Sequence, residues 1–294
     1  MLSILIPIHD FNISPLIYDL ERQIQKLDQN VEIIVFDDHS SSFVEENRKV
    51  AQEFNLNYRY LDQNLGRGRI INLLAQHASF DYLLILDCDV MPKSDLFLSN
   101  YLSVIDNISE VIYGGREHEF IKENFTKLRW KYGFYKEDKT VDQRLKTPYL
   151  STLTNNLVIK KCLFESIRFR ESITKYGHED TLFAYELKKK QAHIQHIDNP
   201  VIHKDIDDNS VFVNKTKMAL KNLSIIYESK LIPADEIHLL KAYEKLKSLK
   251  LEGLFTQIFM HFENHIRNRL TSDRNTVTLF NIYKLGYFCK INRQ

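Results

Sequence analysis

The chain has 294 residues, of which 44% are hydrophobic and 27% charged, a balance that excludes a fibrous or disordered chain and predicts a soluble globular protein with a sizeable core. A net charge of +1 gives no bulk electrostatic case for nucleic acid, and 8 glycines and 6 prolines argue against long disordered linkers. Cys88, Cys162 and Cys289 are odd in number and far apart, so they suggest neither a disulfide framework nor a zinc site. The N-terminus has no basic region ahead of its short apolar run. No window reaches ~18 consecutive apolar residues, so the expected setting is cytoplasmic and reducing, at most peripheral at the inner face of a membrane.

Residues 2–7 read as a buried strand. Ser14-Pro15 then offers an N-cap followed by proline at the first helical position, and Ile17, Leu20, Ile24 and Leu27 recur at helical spacing. Residues 31–36 form a second buried strand that runs into Asp37-Asp38-His39-Ser40. A polar helix follows, and residues 56–61 alternate like a third strand. Residues 64–78 open with glycines and become helical, and residues 82–86 and 111–113 are the fourth and fifth strands. Short apolar runs alternating with helical patterns predict an α/β architecture. Residues 120–150 are mixed and aromatic, without clear periodicity, and read as an insertion or long loop. From about residue 210 the pattern turns helical. Phe255, Phe259, Phe262, Ile266 and Leu270 form one apolar stripe, and Lys241, Lys245, Lys247 and Lys250 load another helix with charge. The expected division is an α/β domain over 1–209 and an α-helical region over 210–294. Those helices read most simply as a subdomain packed on the core, with contact to a membrane surface or partner as the alternative.

The polar residues fall in a pattern. Asp10, Asp37 and Asp38, Asn64 and Gly66, and Asp87 and Asp89 all stand just past the carboxyl ends of predicted strands, where open α/β sheets bind ligands. Continued strand alternation would send Asp87 and Asp89 to the same side. Like charges there raise each other's pKa unless a cation intervenes. A divalent ion carrying a phosphate suits carboxylate oxygens, while a turn with two solvated acids is the plainer reading. Cys88 would point the other way as a packed thiol. For Asp37-Asp38 the plain reading is a strand-terminating turn with an Asx cap.

Five segments stand in order over residues 1–205: Ser3-Ile4-Leu5-Ile6-Pro7, Glu32-Ile33-Ile34-Val35-Phe36-Asp37-Asp38-His39-Ser40, Asn64-Leu65-Gly66, Leu86-Asp87-Cys88-Asp89 and Gly177-His178-Glu179-Asp180. Together they resemble the family 2 glycosyltransferases, inverting nucleotide-sugar-dependent enzymes with the GT-A fold, a Rossmann-like α/β architecture whose mostly parallel central sheet is flanked by helices. The resemblance implies that Asp38 hydrogen-bonds the nucleotide base, as a carboxylate facing a ring N–H would, with Pro7 and Asp10 shaping the base and ribose pocket. It makes Asp87-Cys88-Asp89 the family's Asp-x-Asp motif, with Asp89 the ligand of Mn²⁺ or Mg²⁺ and Asp87 a contact to ribose or to the ion's water. His203 matches a histidine that completes the coordination in many GT-A enzymes, with a surface histidine as the alternative. Asp180 matches the general base that takes the acceptor's hydroxyl proton, and Glu179 would orient acceptor or base. A helix N-terminus accounts for both acids as well. Asn155 and Asn156 match the polar start of the acceptor-side strand, and His178 is a further acceptor-side candidate.

The glycine-containing turn from Asn64 opens a helix whose N-terminus favours an anion, and Arg67 and Arg69 would add charge-assisted bonds to the diphosphate. The family often carries an arginine immediately before the asparagine matching Asn72. Here Ile71 stands in its place, which shifts that role to Arg67 or Arg69, or leaves both as solvated residues. The resemblance therefore implies transfer of one sugar from a nucleoside diphosphate sugar, a UDP-sugar favoured, to a glycan or lipid-linked sugar acceptor in surface polysaccharide or lipopolysaccharide synthesis. The family's processive synthases carry membrane helices and a Gln-x-x-Arg-Trp motif. The sole tryptophan here is Trp130, in Leu128-Arg129-Trp130-Lys131, which favours single transfer. The alternatives are a nucleotidyltransferase, which would place a glycine-rich loop where Pro7-Ile8-His9-Asp10 stands, and a non-catalytic scaffold that keeps the fold.

Overall fold

The computed structural model describes residues 1–105, 110–173 and 177–293. It divides into two compact units, the first comprising Met1–Glu119, Glu137–Thr174 and Glu179–Asp205, the second Phe120–Lys136, Lys175–His178 and Ile206–Gln294. The expected boundary at 209/210 therefore falls just inside the second unit. Residues 120–136, expected in the first domain, go with the helices instead.

Among the described residues the first unit holds ten strands: β1 (Leu2–Ile8), β2 (Val31–Asp37), β3 (Asn57–Tyr60), β4 (Tyr82–Leu86), β5 (Val90–Pro92), β6 (Val111–Tyr113), β7 (Arg116–His118), β8 (Asn156–Lys160), β9 (Ile194–His196) and β10 (Val201–His203). Its principal helices are α1 (Ser14–Ile24), α2 (Val44–Glu53), α3 (Arg67–His77), α4 (Phe97–Val104), α5 (Lys161–Ile167) and α6 (Glu179–Lys189). Seven strands form one sheet in the order β3-β2-β1-β4-β8-β6-β9. It is parallel from β3 to β4, and β8 runs antiparallel between β4 and β6. A second sheet has the order β5-β10-β7.

Every residue of β1 is buried, because helices cover both faces of the sheet. Leu2, Ile4, Ile6 and Ile8 face one core layer with Leu16, Ile17 and Leu20 of α1 and Phe97, Leu98 and Tyr101 of α4. Leu5 belongs to the other, with Ile70, Ile71 and Leu74 of α3, Phe164 of α5 and Phe183 and Leu187 of α6. Each such side chain contributes roughly 1.5–3 kcal/mol when fully buried. Ser14 is not the cap expected for α1. Ile13 takes that position, because the Asn47 side chain of α2 accepts its N–H at 3.0 Å and Asn12 accepts that of Ser14 at 2.9 Å.

β1 lies between β2 and β4, so the chain leaves it in opposite directions and opens a crevice at the strands' carboxyl ends. Two carboxylates knit the loops there. Asp10, held at φ 49°, accepts the Ser41 N–H at 2.6 Å, the Ser42 N–H at 2.9 Å and the Ser41 hydroxyl at 3.1 Å. Asp37 closes the Asx turn expected of it by accepting the Ser40 N–H at 2.8 Å, and Tyr58 donates to its other oxygen at 3.2 Å. Between β6 and β7 the chain passes from the large sheet to the small one at Gly114. A Cβ there would lie 2.3 Å from both the Asn199 carbonyl and the Tyr101 hydroxyl, so only glycine fits.

The second unit is built on α7 (Asn209–Glu228), α8 (His238–Ser248), α9 (Glu252–Thr271) and α10 (Val277–Asn292). Phe280, Tyr283 and Phe288 of α10 are buried with Leu220, Leu223 and Ile226 of α7. Gly286 lets α10 approach the Phe259 ring, which a Cβ would meet at 2.1 Å. Of the expected apolar stripe on α9, Phe259 and Leu270 are buried but Phe262 is exposed. The one-turn helix Leu128–Tyr132 belongs here because Tyr132 packs edge-on against Phe280 at 5.4 Å and Lys131 donates to Asn275. Among the described residues no helix is long and apolar enough to cross a membrane.

Two outcomes follow from these contacts. Gly114→Ala should destabilise the protein by about 1–3 kcal/mol through overpacking, read as a fall in the urea midpoint at unchanged slope. The Asp10 carboxyl titrates below its usual 3.8, drawn down chiefly by the Ser41 N–H against a smaller effect of burial, with the Ser42 N–H adding. A folded value below the unfolded one contributes stability above the unfolded value and loses it as pH falls through the folded one. The stability gap between wild type and Asp10→Asn should thus be full near neutrality and close as pH falls below about 3.8.

Candidate active site

The crevice begins with the loops after β1 and β2. Pro7 is buried in β1 beside Phe36, and His9 Nδ1 lies 3.1 Å from the Asp38 carbonyl, which also accepts from the Asn64 amide at 3.2 Å. Asp38, expected to face a nucleotide base, uses its two oxygens on the protein. Oδ1 accepts the Leu65 N–H at 2.6 Å and Oδ2 the Gly66 N–H at 2.9 Å. It thereby fixes the turn, with Gly66 at φ 83°, from which α3 starts. Asn64 and Asp38 are joined by hydrogen bonds across these loops, and Asp10 is tied to the Ser40–Ser42 turn that follows Asp38.

β4 stops at Leu86, and Asp87-Cys88-Asp89 turns rather than continuing the strand, so the two aspartates do not share a side. Asp87 faces α3, and Asp89 faces β10. Cys88 packs against the core layer of α1 and α4. Burial, with Asp89 and Asp87 adding, pushes its thiol well above the usual range, which leaves it an inert packed thiol. Asp89 Oδ2 lies 3.1 Å from His203 Nε2, and the His203 side chain is only 10% exposed. It is no surface histidine.

Arg67, the first residue of α3, joins the acids. Its Nε and Nη2 donate to Asp87 Oδ1 at 3.1 and 2.6 Å, Nη1 to Thr154 Oγ1 at 2.8 Å and Asp180 Oδ1 at 3.0 Å, and Nη2 to the Thr154 carbonyl at 3.2 Å. A guanidinium has five N–H groups, and all are used. Burial would lower its pKa, but Asp87 and then Asp180 outweigh that and raise it, so it remains a cation. Burial raises the Asp87 carboxyl against the pull of Arg67, and the like charge of Asp89 adds to the rise. Thr154 also donates to Asp180 Oδ1. Arg69 points elsewhere, to the Glu171 carbonyl at 2.8 Å. Ile71 is fully buried in the core.

The acceptor-side candidates separate. Asn156 is a buried structural residue: Tyr101 donates to its Oδ1 at 2.7 Å, and its amide donates to the Gly115 and Asn199 carbonyls. The neighbouring Asn155 side chain is buried yet has no hydrogen-bond partner among the described residues. Glu179 and Asp180 begin α6, whereas His178 belongs to the second unit.

The small sheet adds groups that the motifs did not indicate. His118 pairs with His203 in the β7–β10 register, and their rings lie 5.4 Å apart. Asp138 accepts from the His118 ring at 2.8 Å and from its N–H at 2.9 Å, while the preceding Glu137 pairs with the buried Arg116. The available signal was the alternation Arg116-x-His118 after two glycines, with an acidic pair about twenty residues on. Arg144 donates to the Tyr113 and Ile197 carbonyls. Burial and then Arg144 hold His196 down to about 4, a neutral core histidine.

Residues 3–177 match the family model described as Glycosyl transferase family 2. The chondroitin synthase of Escherichia coli is 26% identical over 217 residues, covering 61% of this chain and 31% of that protein, so the chain spans about a third of this relative's length. Among solved structures, the mannosyltransferase PcManGT from Pyrobaculum calidifontis, in complex with GDP-Man and Mn²⁺, gives a TM-score of 0.58 at 12% identity over 100% of this chain and 88% of that one. TarS of S. aureus gives 0.52 at 19% identity over 76% of this chain and 39% of that one. Glucosyl-3-phosphoglycerate synthase of Mycobacterium tuberculosis, with Mg²⁺ and UDP, gives 0.52 at 12% identity over 79% and 80%. These likenesses establish the GT-A type of α/β fold. With the family model spanning more than half of its length, the chain belongs to glycosyl transferase family 2 and is a glycosyltransferase.

Proposed function

We propose that the enzyme carries out an inverting, divalent-metal-dependent transfer of a single sugar from a nucleoside diphosphate sugar to a carbohydrate hydroxyl. The observation that carries this reading is the approach of Asp89 Oδ2 and His203 Nε2 to 3.1 Å, from a turn and a strand more than a hundred residues apart. Two ligands at right angles on an octahedral ion with bonds of 2.0–2.1 Å stand about 3 Å from each other. An oxygen and an imidazole nitrogen at that spacing fit Mg²⁺ or Mn²⁺. Among the described residues no group of three or more His, Cys, Asp or Glu is arranged to hold an ion. That suits an ion which takes its remaining ligands from phosphate and water. When bound, it offsets the charge of the departing diphosphate.

The chain's own residues supply the rest. The loops after β1 and β2, pinned by Asp10 and Asp38, wall the nucleotide, with Pro7 and Asn64 at its edge. Asp180 is the general base, one third exposed on the first turn of α6. Glu179 beside it and the unpartnered Asn155 amide serve acceptor or sugar hydroxyls. The neighbours' ligands differ, UDP in the M. tuberculosis protein and GDP-Man in PcManGT, and a UDP-sugar is the donor to test first. The likeness to a chondroitin synthase favours a growing polysaccharide as acceptor.

A thermal-shift panel of UDP-, GDP- and dTDP-sugars with and without Mn²⁺ tests the donor site. A donor at ~100 times its dissociation constant stabilises by roughly 2.7 kcal/mol, and Asp89→Ala or His203→Ala should abolish the metal-dependent part. No metal-dependent shift with any donor would sink the proposal. Asp180→Asn should keep the donor-induced shift and lose roughly 10²- to 10⁴-fold in kcat.

A further inference from the structure

Asp180 Oδ1 accepts from Arg67 Nη1 at 3.0 Å and from the Thr154 hydroxyl, while Oδ2 takes no hydrogen bond among the described residues and the side chain is 34% exposed. We propose that Arg67 and Thr154 are positioning residues for the base: they anchor one carboxylate oxygen of Asp180 and leave the other to receive the acceptor's proton. This rests on the reading of Asp180 as the general base. In that step the acceptor O–H proton passes to Asp180 Oδ2. The acceptor oxygen bonds to the anomeric carbon, and the bond from that carbon to the phosphate oxygen breaks, its electron pair leaving with the nucleoside diphosphate.

Three features support the assignment over a direct role for Arg67 on the donor's phosphates. Its five N–H groups all have acceptors within the protein, so a phosphate could gain one only by breaking a bond to a carboxylate or to Thr154. Its acceptors come from separate elements: the turn after β4, the residues before β8 and the start of α6. The Asp87 N–H donates to the Asn155 carbonyl at 3.2 Å, tying the first two of these together. Charge-assisted bonds of this kind are short and directional. A base held by two of them keeps its orientation without contact from the substrate, which is what proximity effects require. Thr154 also discriminates between donors and acceptors, since it receives from Arg67 and gives to Asp180. A hydroxyl does both where an aliphatic side chain does neither.

The test compares kinetics of Thr154→Ser, Thr154→Val and Arg67→Lys, alone and combined with Asp180→Asn, with circular dichroism to confirm folding. Thr154→Ser should stay within about two-fold of wild type. Thr154→Val should lose roughly ten-fold or more in kcat, and Arg67→Lys roughly 10²-fold, the cost of a misplaced catalytic group. The donor KM should stay within about two-fold in each. In the Asp180→Asn background neither substitution should cost more than about two-fold further, because residues that act as one unit are not additive. A raised donor KM at unchanged kcat would make Arg67 a donor ligand, and additive losses would detach it from Asp180. Either result overturns the assignment while leaving glycosyl transfer standing. If Arg67→Lys does not fold, the near-isosteric Thr154→Val against Thr154→Ser decides. A wild type that neither binds nor turns over any nucleoside diphosphate sugar overturns the functional reading and the assignment with it.

Discussion

Asp10, Asp37, Asp38, Asp87, Asp89 and Asp180 are gathered at one end of a sheet, and the surrounding structure is arranged so that each has its own compensation. An unpaired buried charge costs about 3–5 kcal/mol when its partner is removed, so the buried Asp37 and Asp38 cannot be left to general solvation. Backbone N–H groups of the 40–42 and 65–66 turns hold Asp10, Asp37 and Asp38. Arg67 holds Asp87 and Asp180 together, and His203 faces Asp89. Loop conformations that look like consequences of the fold are equally conditions for the acids to be there.

The two sheets divide this work. Parallel strands of the large sheet deliver the loops that hold Asp10, Asp38 and Asp87, as a switch in strand order does generally. The small sheet β5-β10-β7 delivers His203 and His118 by register, with His203 opposite Val90 on one side and His118 on the other. Gly114 makes the division feasible, because the chain must cross from β6 to β7 past the Asn199 carbonyl and Tyr101 hydroxyl with no room for a side chain. Asn156 completes the junction by bonding Tyr101, Gly115 and Asn199. A residue expected to touch the acceptor thus holds the two sheets in register instead.

What could be read in advance was what local physics determines. Fully apolar runs marked β1, β2 and β4, and acids just beyond them marked the crevice. The Asx turn at Asp37 needs only Ser40, three residues on. Long-range hydrogen bonds were illegible. Asp38 finds its partners at Leu65 and Gly66, and Arg67 finds one at Asp180, 113 residues away. Nothing in the spacing tells a carboxylate that faces a ligand from one that caps a loop. The pairs Arg116–Glu137 and His118–Asp138 escaped for the same reason, and because the aromatic residues between them belong to the other unit. Ser14 lost the cap position to Ile13, whose N–H is taken by Asn47, a side chain from a different helix.

Asp38 and Arg67 share a consequence. Both were expected to meet the donor directly; every Arg67 N–H already has a protein acceptor, while each Asp38 oxygen accepts one backbone N–H and keeps a lone pair for a further donor. Groups fixed in this way cannot reorganise cheaply. That is the condition under which preset dipoles and charges act on a transition state, since the cost of orienting them is met during folding rather than during the reaction. A guanidinium whose every N–H is taken leaves the site's free hydrogen-bonding capacity on other polar atoms. Asp180 Oδ2 and the buried Asn155 amide are such atoms among the described residues, and Thr154, next to Asn155 in the chain, bonds both Arg67 and Asp180.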